Sequence, residues 1–182
     1  GVCAQTKAGP ISVRADLVVA ADGRGSTLRD AAGMKAEEFG APMDALWFRL
    51  PRHASDTDQS QGRFDAGRIF VMLNRGDYWQ CAFVIPKGGD DKVRSSGLEA
   101  FRASVAPLLP FEGARANEIN SLDDVKLLVV QVDCLKEWAR PGFLCIGDAA
   151  HAMSPIGGVG INLAIQDAVA AANILAAPLR EN

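Results

Sequence analysis

The sequence predicts an α/β fold in two pieces, an open layer of parallel strands and helices interrupted by an inserted antiparallel β-sheet. Three observations carry this expectation. Leu17 to Ala21 and Phe143 to Ile146 are short continuous apolar runs, each ending at an Asp-Gly or Gly-Asp turn, as strands covered on both faces of a parallel sheet do. Between them lie strand patterns joined by Asn74-Arg75-Gly76-Asp77, a strong hairpin signal. After the second run comes a burst of glycines, then a long alanine-rich helix pattern.

In chain order, residues 1–14 read as a hairpin about Ala8-Gly9-Pro10. Ser26 can cap a short helix from Thr27 to Ala32, which Gly33 ends. Leu46 to Leu50, Arg68 to Leu73 and Tyr78 to Ile85 read as strands. The polar stretches 53–62 and 87–97 read as loops, and Leu98 to Leu109 as a helix closed by Pro110. Lys126 to Val132 is extended, and Pro141-Gly142 turns the chain into the second apolar run. The domains predicted are 1–40 and 138–182 as two pieces of one layer, with 41–137 as a β-rich insertion.

At 182 residues, 48% apolar and 23% charged, the chain has the composition of a soluble globular protein. A net charge of −3 with dispersed Lys and Arg argues against nucleic acid. Cys3, Cys81, Cys134 and Cys145 form no CxxC pair, so no structural zinc site is expected. The apolar, strand-like surroundings of Cys81, Cys134 and Cys145 suit free thiols and a cytoplasmic location. Residues 159–176 are the most apolar stretch, but Asn162, Gln166, Asp167 and Asn173 favour a buried helix over a membrane span. The chain opens on Gly-Val-Cys in mid-strand and reads as a piece of something longer.

The chemistry concentrates at the two acidic turns. Asp148 stands just past a strand's carboxyl end, where open α/β sheets place ligands. Beyond it, Gly157, Gly158 and Gly160 let a ligand approach the main chain at a helix start, where N–H groups are unpaired. A carboxylate for hydroxyls beside bare amides for an electron-rich group suggests a ligand with both. The bland alternative is a turn cap with glycines that merely permit close helix packing. The first turn repeats the pattern with Asp22 and Gly23, then presents Ser26 and Arg29, and is in itself an ordinary strand–turn–helix.

Together ADLVVAADGRGSTLR (15–29) and GDAAHAMSPIGGVGINLAIQD (147–167) resemble, in order, the DG and GD motifs of FAD-dependent aromatic hydroxylases of the p-hydroxybenzoate hydroxylase type. The resemblance implies a partial FAD/NAD(P)-binding doubly wound layer with an inserted substrate sheet. It also implies FAD as cofactor, NAD(P)H as co-substrate, and monooxygenation of an aromatic or related small molecule. Asp148 would hydrogen-bond the ribityl hydroxyls. Pro155, Gly157, Gly158, Gly160, Ile161 and Asn162 would line the ring, with the helix start facing its electron-rich edge. Asp22, Gly23 and Arg29 would form the turn shared by FAD and the passing nicotinamide. The chemistry resides on the flavin, so no side chain is expected to be catalytic. His151 then orders its loop, and Asp167 packs or caps internally. From the insertion, Trp47, Arg49, Phe70, Met72, Trp79, Cys81 and Phe83 are candidates for the substrate pocket, although strand alternation allows only one face to meet a ligand.

Two departures keep other readings open. The family's GxGxxG turn and its following acidic residue are absent, so this chain alone is expected to bind FAD weakly or not at all. Exposed apolar surface where those parts would dock favours self-association. A flavin-dependent reductase on the same scaffold, or a non-catalytic binding module, remains an alternative. Cys81-Ala82-Phe83-Val84-Ile85-Pro86 has the Ile-Pro of the halogenase WxWxIP stretch but neither tryptophan.

Overall fold

A computed structural model describes residues 1–111 and 115–181. The chain divides into two compact units, Gly1–Gly40 with Gln131–Asn182, and Ala41–Val130. The return to the first unit thus falls earlier than the 137/138 boundary expected from sequence. The reason is a strand at 133–135 that pairs with residues 36–38.

The first unit opens with β1 (Val2–Thr6) and β2 (Gly9–Val13), an antiparallel hairpin. Then come β3 (Val18–Ala20), α1 (Thr27–Ala31) and β4 (Ala36–Glu38). Ser26 caps α1 by accepting from the Arg29 N–H at 3.0 Å, and Gly33 leaves it at φ +67°, a conformation that favours glycine.

The second unit holds β5 (Met43–Pro51), β6 (Gln61–Asp65), β7 (Arg68–Asn74), β8 (Tyr78–Pro86), α2 (Asp90–Val105) and β9 (Lys126–Leu128). The strands form one antiparallel sheet ordered β6-β7-β8-β5-β9. α2 starts well before the expected Leu98. Asp90 and Asp91 favour the positive end of a helix, Arg94 Nε donates to Asp90 one turn away at 2.8 Å, and the helix is broken at Gly97 (φ +82°).

One face of this sheet carries Leu46, Phe48, Leu50, Phe70, Met72, Trp79, Cys81, Phe83 and Ile85 into a core closed by Phe101 and Val105 of α2. Phe48 meets the Phe101 ring edge-on, with centroids 5.4 Å apart. Trp79, Cys81 and Phe83 are therefore core residues rather than pocket residues, because the helix covers the face they share; Phe70 and Met72 belong to the same core and border a small cavity of about 220 Å³ with Gln61, Arg63 and Leu108. Trp47 and Arg49 point the other way. With Tyr78 and Gln80 they line a cleft of about 590 Å³, and the Arg49 guanidinium lies 4.4 Å from the Tyr78 ring centroid.

The chain re-enters the first unit through β10 (Asp133–Leu135), which pairs with β4, and continues to β11 (Ala139–Arg140), β12 (Phe143–Cys145), β13 (His151–Ala152) and α3 (Gly160–Glu181). β12 runs parallel to β3, aligning Cys145 with Ala20, so both acidic turns leave the same end of adjacent strands. The 22-residue α3 is not the buried helix expected, since none of its described residues is buried. Within the chain it packs chiefly on the Gly147–Ala149 turn. By length and composition alone it is long and apolar enough to cross a membrane.

Candidate functional site

The parallel pairing of β3 and β12 brings together two turns far apart in sequence. In the first, Asp22 is engaged locally: its carboxylate accepts from the Ser26 hydroxyl, and from the Leu28 N–H at 3.1 Å. Burial alone would raise its pKa, but these bonds outweigh that and hold it below the ordinary value. Gly23 adopts φ +87°, which turns the chain toward α1. Arg29 is buried, with 8% exposure, and stitches the turns together. It donates to the Arg24 carbonyl at 3.0 Å and to the Ala149 carbonyl at 3.3 Å.

Asp148 differs from Asp22. It sits in the single 3₁₀ turn Gly147–Ala149 with 43% of its side chain exposed, and its charged neighbour is Arg24, Nε to Oδ2 3.8 Å. Beyond β13, Ser154 caps a second 3₁₀ turn, Pro155–Gly157, which Gly158 leaves at φ +61°. A Cβ built at Gly158 meets open space, whereas one at Gly160 would sit 3.5 Å from Met153. Ile161 and Asn162 lie exposed in the first turn of α3. The N–H groups of Asn162 and Leu163 donate to the Val159 carbonyl at 3.0 and 3.2 Å. The first amides of α3 have no partner further back within the helix.

Every residue expected at the site, Asp22, Gly23, Arg29, Asp148, Pro155, Gly157, Gly158, Gly160, Ile161 and Asn162, lies in the first unit. Arg29 faces two main-chain carbonyls rather than open space. Three features escaped the sequence reading: the Arg24 contact to Asp148, the main-chain acceptor at Ala149, and a bond from His151 to Asp167. The first two leave no sequence signal; the third is signalled only by Asp167 being a lone charge in the first five turns of a largely apolar helix.

A half-exposed carboxylate for hydroxyls, an uncrowded glycine turn and a helix start for an electron-rich edge are a chemically matched set for a flavin with its ribityl chain. Parallel strands that end in two acidic turns before such a helix define a nucleotide-cofactor-binding α/β unit. The chain belongs to the FAD binding domain family, which matches residues 1–182, and its cofactor is accordingly FAD.

The chain is 38% identical to 6-methylpretetramide 4-monooxygenase of Streptomyces rimosus over 99% of its own length and 43% of that protein's. Its fold matches the crystal structure of PqsL, a probable FAD-dependent monooxygenase from Pseudomonas aeruginosa. There the TM-score is 0.77 at 21% identity, covering 98% of this chain and 50% of that one. It also matches Klebsiella pneumoniae HpxO complexed with FAD and uric acid, with a TM-score of 0.72 at 20% identity, covering 97% of this chain and 48% of that one. The chain thus spans less than half the length of the curated relatives it matches.

Proposed function

We propose that this chain is the part of a flavin-dependent monooxygenase that holds the ribityl and ring end of FAD, in a protein that hydroxylates an aromatic or related small molecule with NAD(P)H and O2. The observation that carries the reading is the Asp148 carboxylate, half-exposed just past the end of β12 with Arg24 as its charged neighbour. The family membership and the 38% identity to a monooxygenase point the same way.

Asp148 accepts hydrogen bonds from the ribityl hydroxyls, with the Arg24 guanidinium beside it. Pro155, Gly157, Gly158, Gly160, Ile161 and Asn162 form a floor without bulky side chains, and the positive end of α3 stabilises charge at the ring's electron-rich edge. Asp22, Gly23 and Arg29 set the neighbouring turn, where phosphate-bearing parts of the cofactor or nicotinamide pass. When bound, FAD supplies the redox chemistry. On the insertion, Trp47, Arg49, Tyr78 and Gln80 are the side chains offered to the substrate, because the opposite face of their sheet is filled.

The layer to which β3 and β12 belong is, in this reading, a doubly wound one, and the protein is cytoplasmic. α3 is one of its packing helices rather than a membrane span; its polar Asn162, Gln166, Asp167 and Asn173 favour this. In isolation the exposed apolar side of α3 makes the chain self-associate, and FAD binding is weak.

The test uses the protein that carries this chain. It should retain FAD on purification, and NAD(P)H oxidation should be matched by hydroxylated product. Oxidation without oxygen incorporation would move the assignment to a reductase. Asp148→Ala should weaken FAD binding about tenfold, the scale of one charge-assisted hydrogen bond.

A further inference from the structure

Asp167 lies on α3, five residues past the last position expected to touch the ring, yet its carboxylate reaches back to the Gly-Asp turn. Asp167 Oδ2 accepts from the Gly147 N–H at 2.8 Å and from His151 Nε2 at 2.6 Å. The side chains of Asp167 and His151 are each 16% exposed. The His151 ring is fixed from its other side as well: it stacks on Trp138 with centroids 4.7 Å apart and planes 28° apart, and Trp138 donates through Nε1 to the Leu135 carbonyl at 3.0 Å. Its backbone is held by pairing with Cys134.

A second observation places the same seam under tight geometric control. Gly147 adopts φ +59°, and a Cβ built there would stand 3.1 Å from the Ala164 Cβ. Ala164 and Asp167 are one turn apart and share a face of α3. The helix therefore comes close to Gly147 at Ala164, an approach that leaves little room for a side chain, while Asp167 takes up the Gly147 amide. Because no described residue of α3 is buried, this polar link is a principal tie between the helix and the turn. Gly147 directly precedes Asp148, so a constraint on its amide is a constraint on where the Asp148 carboxylate points.

We propose that Asp167 is the positioning residue of the flavin site: by binding Gly147 and His151 together it sets the direction of the Asp148 carboxylate and its distance from the amino end of α3. This rests on the assignment of Asp148 to the ribityl hydroxyls. Asp167 touches no ligand itself and acts through Asp148.

The test is a double-mutant cycle in the flavoprotein that carries this chain, read as the FAD dissociation constant by flavin fluorescence. Asp148→Ala and Asp167→Ala should each weaken binding about tenfold, and the double variant should be no weaker than Asp148→Ala alone, since residues acting through one contact do not add. Asp167→Asn, which keeps an acceptor for the Gly147 amide, should stay within about threefold of the native protein. Amide exchange at Gly147 should quicken in Asp167→Ala and not in Asp167→Asn. Should Asp167→Ala fail to fold, Asp167→Asn carries the same cycle against Asp148→Ala, and any loss it causes must vanish in the double variant. An unchanged dissociation constant in Asp167→Ala, or losses that multiply in the double variant, overturns the positioning role alone. An unchanged constant in Asp148→Ala overturns the site assignment and this proposal with it.

Discussion

Arg29 Nη1 donates to the carbonyl of Ala149 at 3.3 Å, across 120 residues of sequence. The bond joins the two acidic turns, and Arg29 Nη2 secures the first of them by donating to the Arg24 carbonyl. A buried guanidinium suits this work because its planar fork can meet two acceptors at once.

Arg29→Ala should lower stability by about 1–3 kcal/mol, since it strands the buried Ala149 carbonyl and removes the partner of the half-buried Arg24 carbonyl. Arg29→Lys should recover only part, because a single ammonium cannot reproduce the fork. Urea unfolding of the three proteins checks this, and equal midpoints for Lys and Arg would show that geometry at this position is unimportant.

Gly147 and Gly158 offer a controlled comparison. Both adopt φ near +60°, but a Cβ at Gly147 would press on Ala164 while one at Gly158 meets open space. Gly158→Ala should cost about 1 kcal/mol, the backbone penalty alone. Gly147→Ala should cost about 1–3 kcal/mol more as the helix is pushed off the turn. Unfolding midpoints that coincide for the two variants would refute the close approach.

What the sequence made legible follows from local physics. β3 and β12 could be read from continuous apolar runs, the β7–β8 hairpin from its turn, and the cap of α1 from Ser26. The start of α2 could not, because Gly88, Gly89, Asp90 and Asp91 look like a loop until the Asp90–Arg94 bond is seen. Strand alternation separated the faces of the insertion's sheet, yet only the position of α2 decides that Cys81 and Phe83 are core while Trp47 and Arg49 are not. Composition also could not decide the burial of α3, since an apolar helix reads alike whether its neighbours lie within the chain or elsewhere. At the site, glycines and carboxylates announce themselves by type, whereas the Ala149 carbonyl that binds Arg29 is main chain and carries no sequence mark.

The cysteines should separate by reactivity. All four are free, with Cys3 exposed, Cys134 half-buried, and Cys81 and Cys145 buried. Burial pushes the Cys81 thiol up to about 12 and raises that of Cys145 as well. Alkylation of the native protein at about pH 8 should label Cys3 rapidly, Cys134 slowly, and the other two only after unfolding. Peptide mass spectrometry reads the order directly, and early labelling of Cys81 would mean that the sheet–helix core opens readily.

Acid should unfold the insertion through two carboxylates. Asp56 accepts from Arg115 Nη1 at 2.9 Å, from the His53 N–H at 3.0 Å and from Trp79 Nε1 at 2.9 Å. Asp44 accepts from Lys87 Nζ and the Val130 N–H, both at 2.9 Å, and from the Gly88 N–H at 2.8 Å, tying the two ends of the insertion together. Burial would raise both pKa values, but these partners prevail and hold each below the ordinary 3.8. A depressed folded pKa means that the stabilisation is fully present above the unfolded value and is lost as pH falls through the folded one. Stability should therefore be flat from neutrality to about pH 5 and drop steeply below about pH 4. Asp56→Asn should cost about 3–5 kcal/mol at neutral pH by leaving Arg115 buried with one fewer charge partner. It should also flatten the acid limb, as should Asp44→Asn. Urea unfolding followed by tryptophan fluorescence at neutral and acid pH measures both effects, and an acid limb of native steepness in the two variants would place the proton uptake on other groups.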